Sequence, residues 1–146
     1  MISDIDLQRK LTDCGFTHDK YLVETADGHY MDLMREEGYE SLSGQHYALP
    51  IKADSDGASD PRPGWAVIPP FGWYWVPAYW HDGGYRGTVK HPARGDMLTK
   101  QECDDLFHEM LGRIAIGDIQ EAQRFELYES VHFGGQAAFD EDRAKQ

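Results

Sequence analysis

The residues best suited to chemistry lie in one short run, residues 80–85, which reads Trp-His-Asp-Gly-Gly-Tyr. Residues four apart share one face of an α-helix, so a helix here would place His81 beside Tyr85 and point Asp82 about a third of a turn away. An imidazole can take a proton from water, and a carboxylate that points elsewhere can hold a cation. The run therefore predicts a base and a cation ligand with separate roles.

A second carboxylate, Asp104, follows on a helix with a strong sequence signature. Residues 99–102, Thr-Lys-Gln-Glu, form a capping box, and apolar residues follow at helical spacing. Asp104 lies at the border of that apolar stripe, where a carboxylate needs a partner. If His81 donates a ring N–H to it, the carboxylate fixes the tautomer and raises the basicity of the imidazole. The pair would activate a water, while Asp82 would hold a divalent cation such as calcium against the developing oxyanion of an ester.

A structural interpretation of the same residues stays open. A His-Asp dipeptide is common, and spacing alone favours His81 as a histidine packed against tryptophans on a helix surface. Asp104 would then be a first-turn carboxylate stabilised by the helix dipole, and Tyr85 would be a core tyrosine.

Residues 50–64 form a second candidate region, with loop chemistry that includes three prolines and two glycines. Asp56, Ser59 and Arg62 are its candidate binding residues. The segment begins like a calcium loop but lacks the EF-hand's glycine at the sixth position. A turn stabilised by Asp and Ser side chains is therefore favoured over oxygen donation to a cation.

All four tryptophans fall within residues 65–85. Trp73 and Trp75 lie two apart near prolines, and exposed aromatic side chains can bind carbohydrate or lipid. Such a cluster is more often the core of a small domain, so both interpretations stay open.

The whole chain limits the classes of function. Its 146 residues carry a formal net charge of −12, which argues against direct binding of nucleic-acid phosphates or anionic membrane through a basic face. No run approaches the roughly 18 apolar residues of a membrane span, and no secretion signal is recognisable. Cys14 and Cys103 make a poor disulfide framework, and zinc spacing, a nucleophile elbow and a phosphate loop are missing.

The periodicity predicts a small single α+β domain with a helical core. Helices are expected near 76–86, 100–116 and 118–133, behind an N-terminal helix near residues 4–13, a hairpin over residues 21–31 and a strand at 46–49. Residues 1–45 are expected to belong to the same domain as the core at 46–139, and residues 140–146 to form a frayed acidic tail.

Two finer expectations concern the helices. Gly83 and Gly84 are poor helix formers, and the close approach of another backbone or a ligand would explain them. The last predicted helix is expected to bury a stripe of five residues: Ile119, Ala122, Phe125, Tyr128 and Phe133.

The order of these motifs resembles a phage-associated family, domain of unknown function thirteen fifty-three. The resemblance covers residues 46–139, and the N-terminal part matches less well. Asp60 replaces an apolar residue of the family's pattern, and Cys103 replaces an alanine. The family's loop, aromatic stretch, His-Asp-x-x-Tyr segment, Asp-bearing helix and terminal Gly-Gly correspond to residues 55–62, 73–75, 78–85, 103–107 and 128–135. The resemblance implies a gene carried by phages or prophages, with no settled activity.

The His-Asp-x-x-Tyr segment with a later helical Asp is also similar to phospholipase A2. That resemblance implies His81 as the base, Asp82 as a calcium ligand, Asp104 as the support of the histidine and Tyr85 in the hydrogen-bond network. It covers two helices only, because the disulfides and the calcium loop of the secreted enzymes are missing.

Together these features predict a phage accessory or virion-associated protein with a His-Asp hydrolase-like site for a lipid or another cell-envelope ester. The expected location is the host cytoplasm or the virion. The alternative is a non-catalytic structural or interaction protein, such as an acidic inhibitor of a host defence protein. For catalysis, His81 should reach Asp104 at the base of an open cleft, and a pair that lies apart or is sealed beneath the tryptophans would contradict it.

Overall fold

A computed structural model describes residues 9–17, 22–24, 31–33, 36–50, 54–55 and 73–145. The described chain is a small single domain of the predicted α+β class, in which a helical core carries short antiparallel strands. A 3-10 helix, Leu11–Cys14, ends at Gly15, whose φ of 99° is left-handed. The α-helix predicted near residues 4–13 is wrong at its C-terminal end, because Lys10 is extended (φ −61°, ψ 124°) and only a 3-10 helix follows. Residues 4–8 lie outside the described residues.

The strands form two small sheets. In the first, β1 (Leu22–Glu24) pairs with β2 (Met31–Leu33), and β2 pairs with β5 (Asp54–Ser55). In the second, β3 (Glu37–Glu40) pairs with β4 (His46–Leu49). All pairs are antiparallel, so the predicted hairpin and the predicted strand at 46–49 are confirmed. Strand β3 lies in the predicted N-terminal part, residues 1–45, and β4 lies in the predicted core, residues 46–139. Their pairing therefore joins these two parts of the domain.

Four helices make up the C-terminal half. They are α1 (Trp75–Tyr85), α2 (Lys100–Ile114), α3 (Gly117–Gly134) and α4 (Gln136–Ala144). The first three confirm the prediction, and the capping box between Thr99 and Glu102 is formed at the start of α2. In the part of the chain that the structure describes, no helix has the length and apolar character needed to cross a membrane.

The frayed tail predicted for residues 140–146 is wrong as far as Ala144, because α4 is fastened to the core. Arg143 donates from Nε to the Tyr85 carbonyl (2.9 Å) and from Nη2 to the carbonyls of Gly84 (3.0 Å) and Leu98. The Gly84 and Tyr85 carbonyls lie in the last turn of α1, where helical carbonyls lack partners further along the helix, and the Leu98 carbonyl lies just before α2. An arginine near the end of an acidic segment gave no sequence signal of this role.

Helix α1 is the centre of the core, since every residue from Val76 to Tyr85 is buried. Its two glycines allow close side-chain packing. A Cβ at Gly83 would lie 2.7 Å from Leu49 Cδ1, and one at Gly84 would lie 2.8 Å from Cys103 Sγ. We expected another backbone or a ligand to approach these glycines. This expectation is wrong, because the atoms nearest to the added Cβ positions belong to side chains of β4 and α2.

The buried stripe predicted on α3 is also wrong. Ile119, Ala122, Phe125 and Phe133 are exposed, and Tyr128 is half-buried. The face that meets the core instead carries Gln120, Leu127, Ser130 and Val131. Gln120 is accommodated there because its Oε1 accepts a hydrogen bond of 2.7 Å from the Ile116 N–H at the start of the helix.

Candidate functional site

His81 and Asp104 meet where α1 packs against α2. His81 Nε2 lies 2.8 Å from Asp104 Oδ1, as predicted. Tyr85, one turn along α1 from His81, donates its hydroxyl to the same carboxylate oxygen at 2.8 Å. The rings of His81 and Tyr85 are 4.1 Å apart, so the i,i+4 spacing has the expected effect. These residues form one polar cluster between two helices.

Lys100 completes the cluster and was not predicted. Its Nζ lies 2.7 Å from Asp104 Oδ2 and also donates to the carbonyls of Val131 (2.9 Å) and His132 (3.2 Å). The lysine thus joins α2 to the last turn of α3, whose carbonyls carry the negative end of the helix dipole. The spacing of four between Lys100 and Asp104 was the sequence signal that could have indicated this pair.

Asp104 is ionised in this cluster. Burial opposes the charged form, but the hydrogen bond and charge of His81 and the hydrogen bonds from Lys100 and Tyr85 outweigh burial and lower the pKa of Asp104. An ionised carboxylate can only accept hydrogen bonds, so the hydrogen must lie on His81 Nε2. In a neutral imidazole the lone pair is then on Nδ1, which is the atom that could take a proton.

The open cleft expected above the pair is not present in this conformation. The side chains of His81 and Asp104 have no exposed surface (0% each). His81 lies between the rings of Tyr85 and Phe107, the latter at 4.8 Å. On the far side of Tyr85, Phe139 of α4 makes an edge contact at 5.2 Å. A substrate could reach the pair only after the surrounding elements had moved.

Asp82, the predicted cation ligand, is also buried, with 1% of its surface exposed. Within the described ranges, no group of three or more His, Cys, Asp or Glu side chains could hold a metal ion. The backbone does separate it from the His81–Asp104 contact, as the helix spacing required.

The other candidate residues do not join this cluster. Trp73 belongs to the core, with 2% exposed, and its Nε1 donates to Gln123 Oε1 at 2.8 Å. Trp75 is partly buried against the same core. The proposed aromatic platform is therefore wrong for Trp73. Asp56, Ser59 and Arg62 lie outside the described residues.

The fold and the cluster define a small α+β domain with a buried His–Asp pair between two helices. A family described as protein of unknown function (DUF1353) matches residues 31–127. The chain belongs to this family. No curated protein and no solved structure matched it.

Proposed function

We propose that this protein is a hydrolase whose general base is His81. The observation that supports the proposal is the double use of one oxygen: Asp104 Oδ1 accepts hydrogen bonds from both His81 and Tyr85. This arrangement fixes the ring, its tautomer and the direction of Nδ1, which are the properties a base needs before its substrate arrives.

In the proposed reaction, Nδ1 of His81 takes a proton from a water as the water oxygen attacks an ester carbonyl. The proton later passes from the imidazolium to the leaving alcohol as the bond between carbonyl carbon and ester oxygen breaks. Asp104 and Tyr85 hold the ring throughout. A calcium ion on Asp82, completed by further ligands, would stabilise the oxyanion.

The proposed substrate is a lipid or another ester of the cell envelope, and the proposed setting is phage entry or lysis. Both come from the resemblances in the sequence, to phospholipase A2 and to a phage-associated family. The buried pair adds one condition, which is that the protein opens before it acts.

A second candidate function is a non-catalytic virion or interaction protein, including an acidic inhibitor of a host protein. The zero exposure of His81 and Asp104 favours it. In this case the cluster stabilises the packing of α1, α2 and α3, and partner binding uses the surface.

Hydrolysis assays with and without calcium separate the two candidates. Phospholipid vesicles and a soluble short-chain ester serve as substrates for wild type, His81→Gln and, as a matched control, the exposed His46→Gln. The hydrolase proposal expects turnover in wild type and the control, and a loss of about 10²- to 10⁴-fold in His81→Gln.

Circular dichroism first confirms that the variants fold. Absence of turnover in wild type, or equal turnover in His81→Gln, would overturn the hydrolase proposal in favour of the second candidate. A calcium-dependent rise in Tm that Asp82→Asn abolishes would support the cation role, and no rise in wild type would remove it.

A further inference from the structure

The outward face of α3 carries large apolar side chains in water. Ile119, Phe125 and Phe133 expose 54%, 55% and 80% of their surface. Ala122 is exposed on the same side of the helix. Single exposed apolar residues are ordinary on protein surfaces, but a set at helical spacing on one face is typical of a binding surface.

Each of the two phenylalanines has a histidine ring beside it. The ring of Phe133 meets His132 edge-on at 4.7 Å, and the ring of Phe125 lies 6.1 Å from His108. Tyr128 lies between the two histidines, tilted against His108 at 4.5 Å and stacked on His132 at 5.3 Å. Each phenylalanine therefore has a histidine beside it and keeps more than half of its surface available to a partner.

The same face is acidic. Asp118, Glu126 and Glu129 are exposed among the apolar residues, at positions that share their side of the helix. A second copy of the chain on this face would bring carboxylates of the same kind together, which is unfavourable in a partly dehydrated interface. An anionic lipid surface is disfavoured for the same reason.

We propose that this face of α3 binds an amphipathic helix of a partner protein, in which apolar side chains are flanked by lysine or arginine. The apolar residues of the partner would contact Phe125, Phe133 and Ile119, and its cations would lie near the three carboxylates. Ile119 and Phe133 are separated by about 21 Å along the helix, which matches about four turns of a partner. The proposal is independent of catalysis at His81.

Two designed peptides of about 18 residues test the surface, one with leucines at helical spacing and lysines elsewhere, the other with glutamate in place of lysine. Wild type should bind the lysine peptide and not the glutamate peptide. Phe125→Ser with Phe133→Ser should weaken binding by about tenfold or more. As a matched control, Leu42→Ser with Met97→Ser removes exposed apolar side chains elsewhere and should bind like wild type.

Charge reversal at Glu126→Lys with Glu129→Lys should transfer the preference towards the glutamate peptide. Equal binding by wild type and the phenylalanine variant would overturn the proposal, because binding would then reflect net charge alone. Dimerisation in ultracentrifugation that the phenylalanine variant abolishes, or phenylalanine-dependent binding to phosphatidylcholine vesicles, would overturn it in favour of self-association or a lipid surface.

Discussion

Lys100 Nζ lies 2.7 Å from Asp104 Oδ2, one turn away on α2, and the carboxylate of this pair has no exposed surface. Asp104 therefore balances a positive charge on one oxygen while it holds His81 and Tyr85 with the other. Lys100 thus compensates the charge of the buried Asp104, and the other carboxylate oxygen stays available to hold the imidazole ring.

Removal of the lysine should expose the dependence of the cluster on this pair. Lys100→Met leaves Asp104 buried without its cation and should lower the free energy of unfolding by about 3–5 kcal/mol in urea titrations. Arg94→Met breaks the exposed pair between Arg94 and Glu102 (2.8 Å) and should change stability little. A small loss in Lys100→Met would contradict a buried ion pair.

Two tyrosines offer a matched comparison of buried hydroxyl groups. Tyr85→Phe removes a hydrogen bond to the ionised Asp104 and should cost about 1.5–3 kcal/mol of stability. Tyr74 Oη is buried and has no hydrogen-bond partner among the residues that the structure describes. Tyr74→Phe should therefore be neutral or stabilising. Equal losses in the two variants, measured by thermal or urea unfolding, would show that the hydrogen bond to Asp104 contributes nothing.

We expect the buried thiol of Cys103 to lower the folding stability of the protein at alkaline pH. Burial raises the pKa of its thiol to about 12, whereas an unfolded cysteine has a pKa of about 8.5. Above that lower value the unfolded chain loses a proton that the folded chain retains, so stability falls as pH rises. Between pH 7.5 and 10, wild type should lose about 2 kcal/mol more than Cys103→Ala in urea titrations. Parallel losses in both proteins would contradict the raised pKa.

The same thiol reports on the attachment of α4. The charge of Arg143 acts on Cys103, and the sulfur packs against Gly84, whose carbonyl accepts from Arg143. In a Cys14→Ser background, Arg143→Met should loosen α4 and increase the rate at which Cys103 reacts with a thiol reagent. Lys145→Met, in an exposed pair with Glu141, is the control and should leave the rate unchanged. An unchanged rate in Arg143→Met would show that α4 does not limit access.

The helices and the central contact of the cluster could be predicted from the sequence. The capping box at Thr99, the proline in the first turn of α1 and the apolar spacing of α2 act within a few residues, so local patterns fix those helices. The pairing of His81 with Asp104 followed from placing two polar residues on helices that share one core.

The errors concern which surfaces are covered, and this depends on residues distant in sequence. The apolar spacing of α3 predicted that the side carrying Phe125 and Phe133 is buried. The helix instead buries the side that carries Leu127 and Val131. His81 is buried between the ring of Tyr85 on its own helix and the ring of Phe107 on α2, and the second contact joins residues on different helices. The role of Lys100 was missed because a lysine in a first helical turn usually faces water.

The bond between Arg143 and the Gly84 carbonyl spans 59 residues of chain. A ribosome releases α1, α2 and α3 before the segment that forms α4. We therefore expect the His81–Asp104 contact to form while the Gly84 and Tyr85 carbonyls are still hydrated. The order of synthesis thus gives the nascent protein a period in which the carbonyls at the end of α1 are accessible to donors other than Arg143. A chaperone or a partner that recognised this state would meet a form of the protein that its finished fold no longer presents.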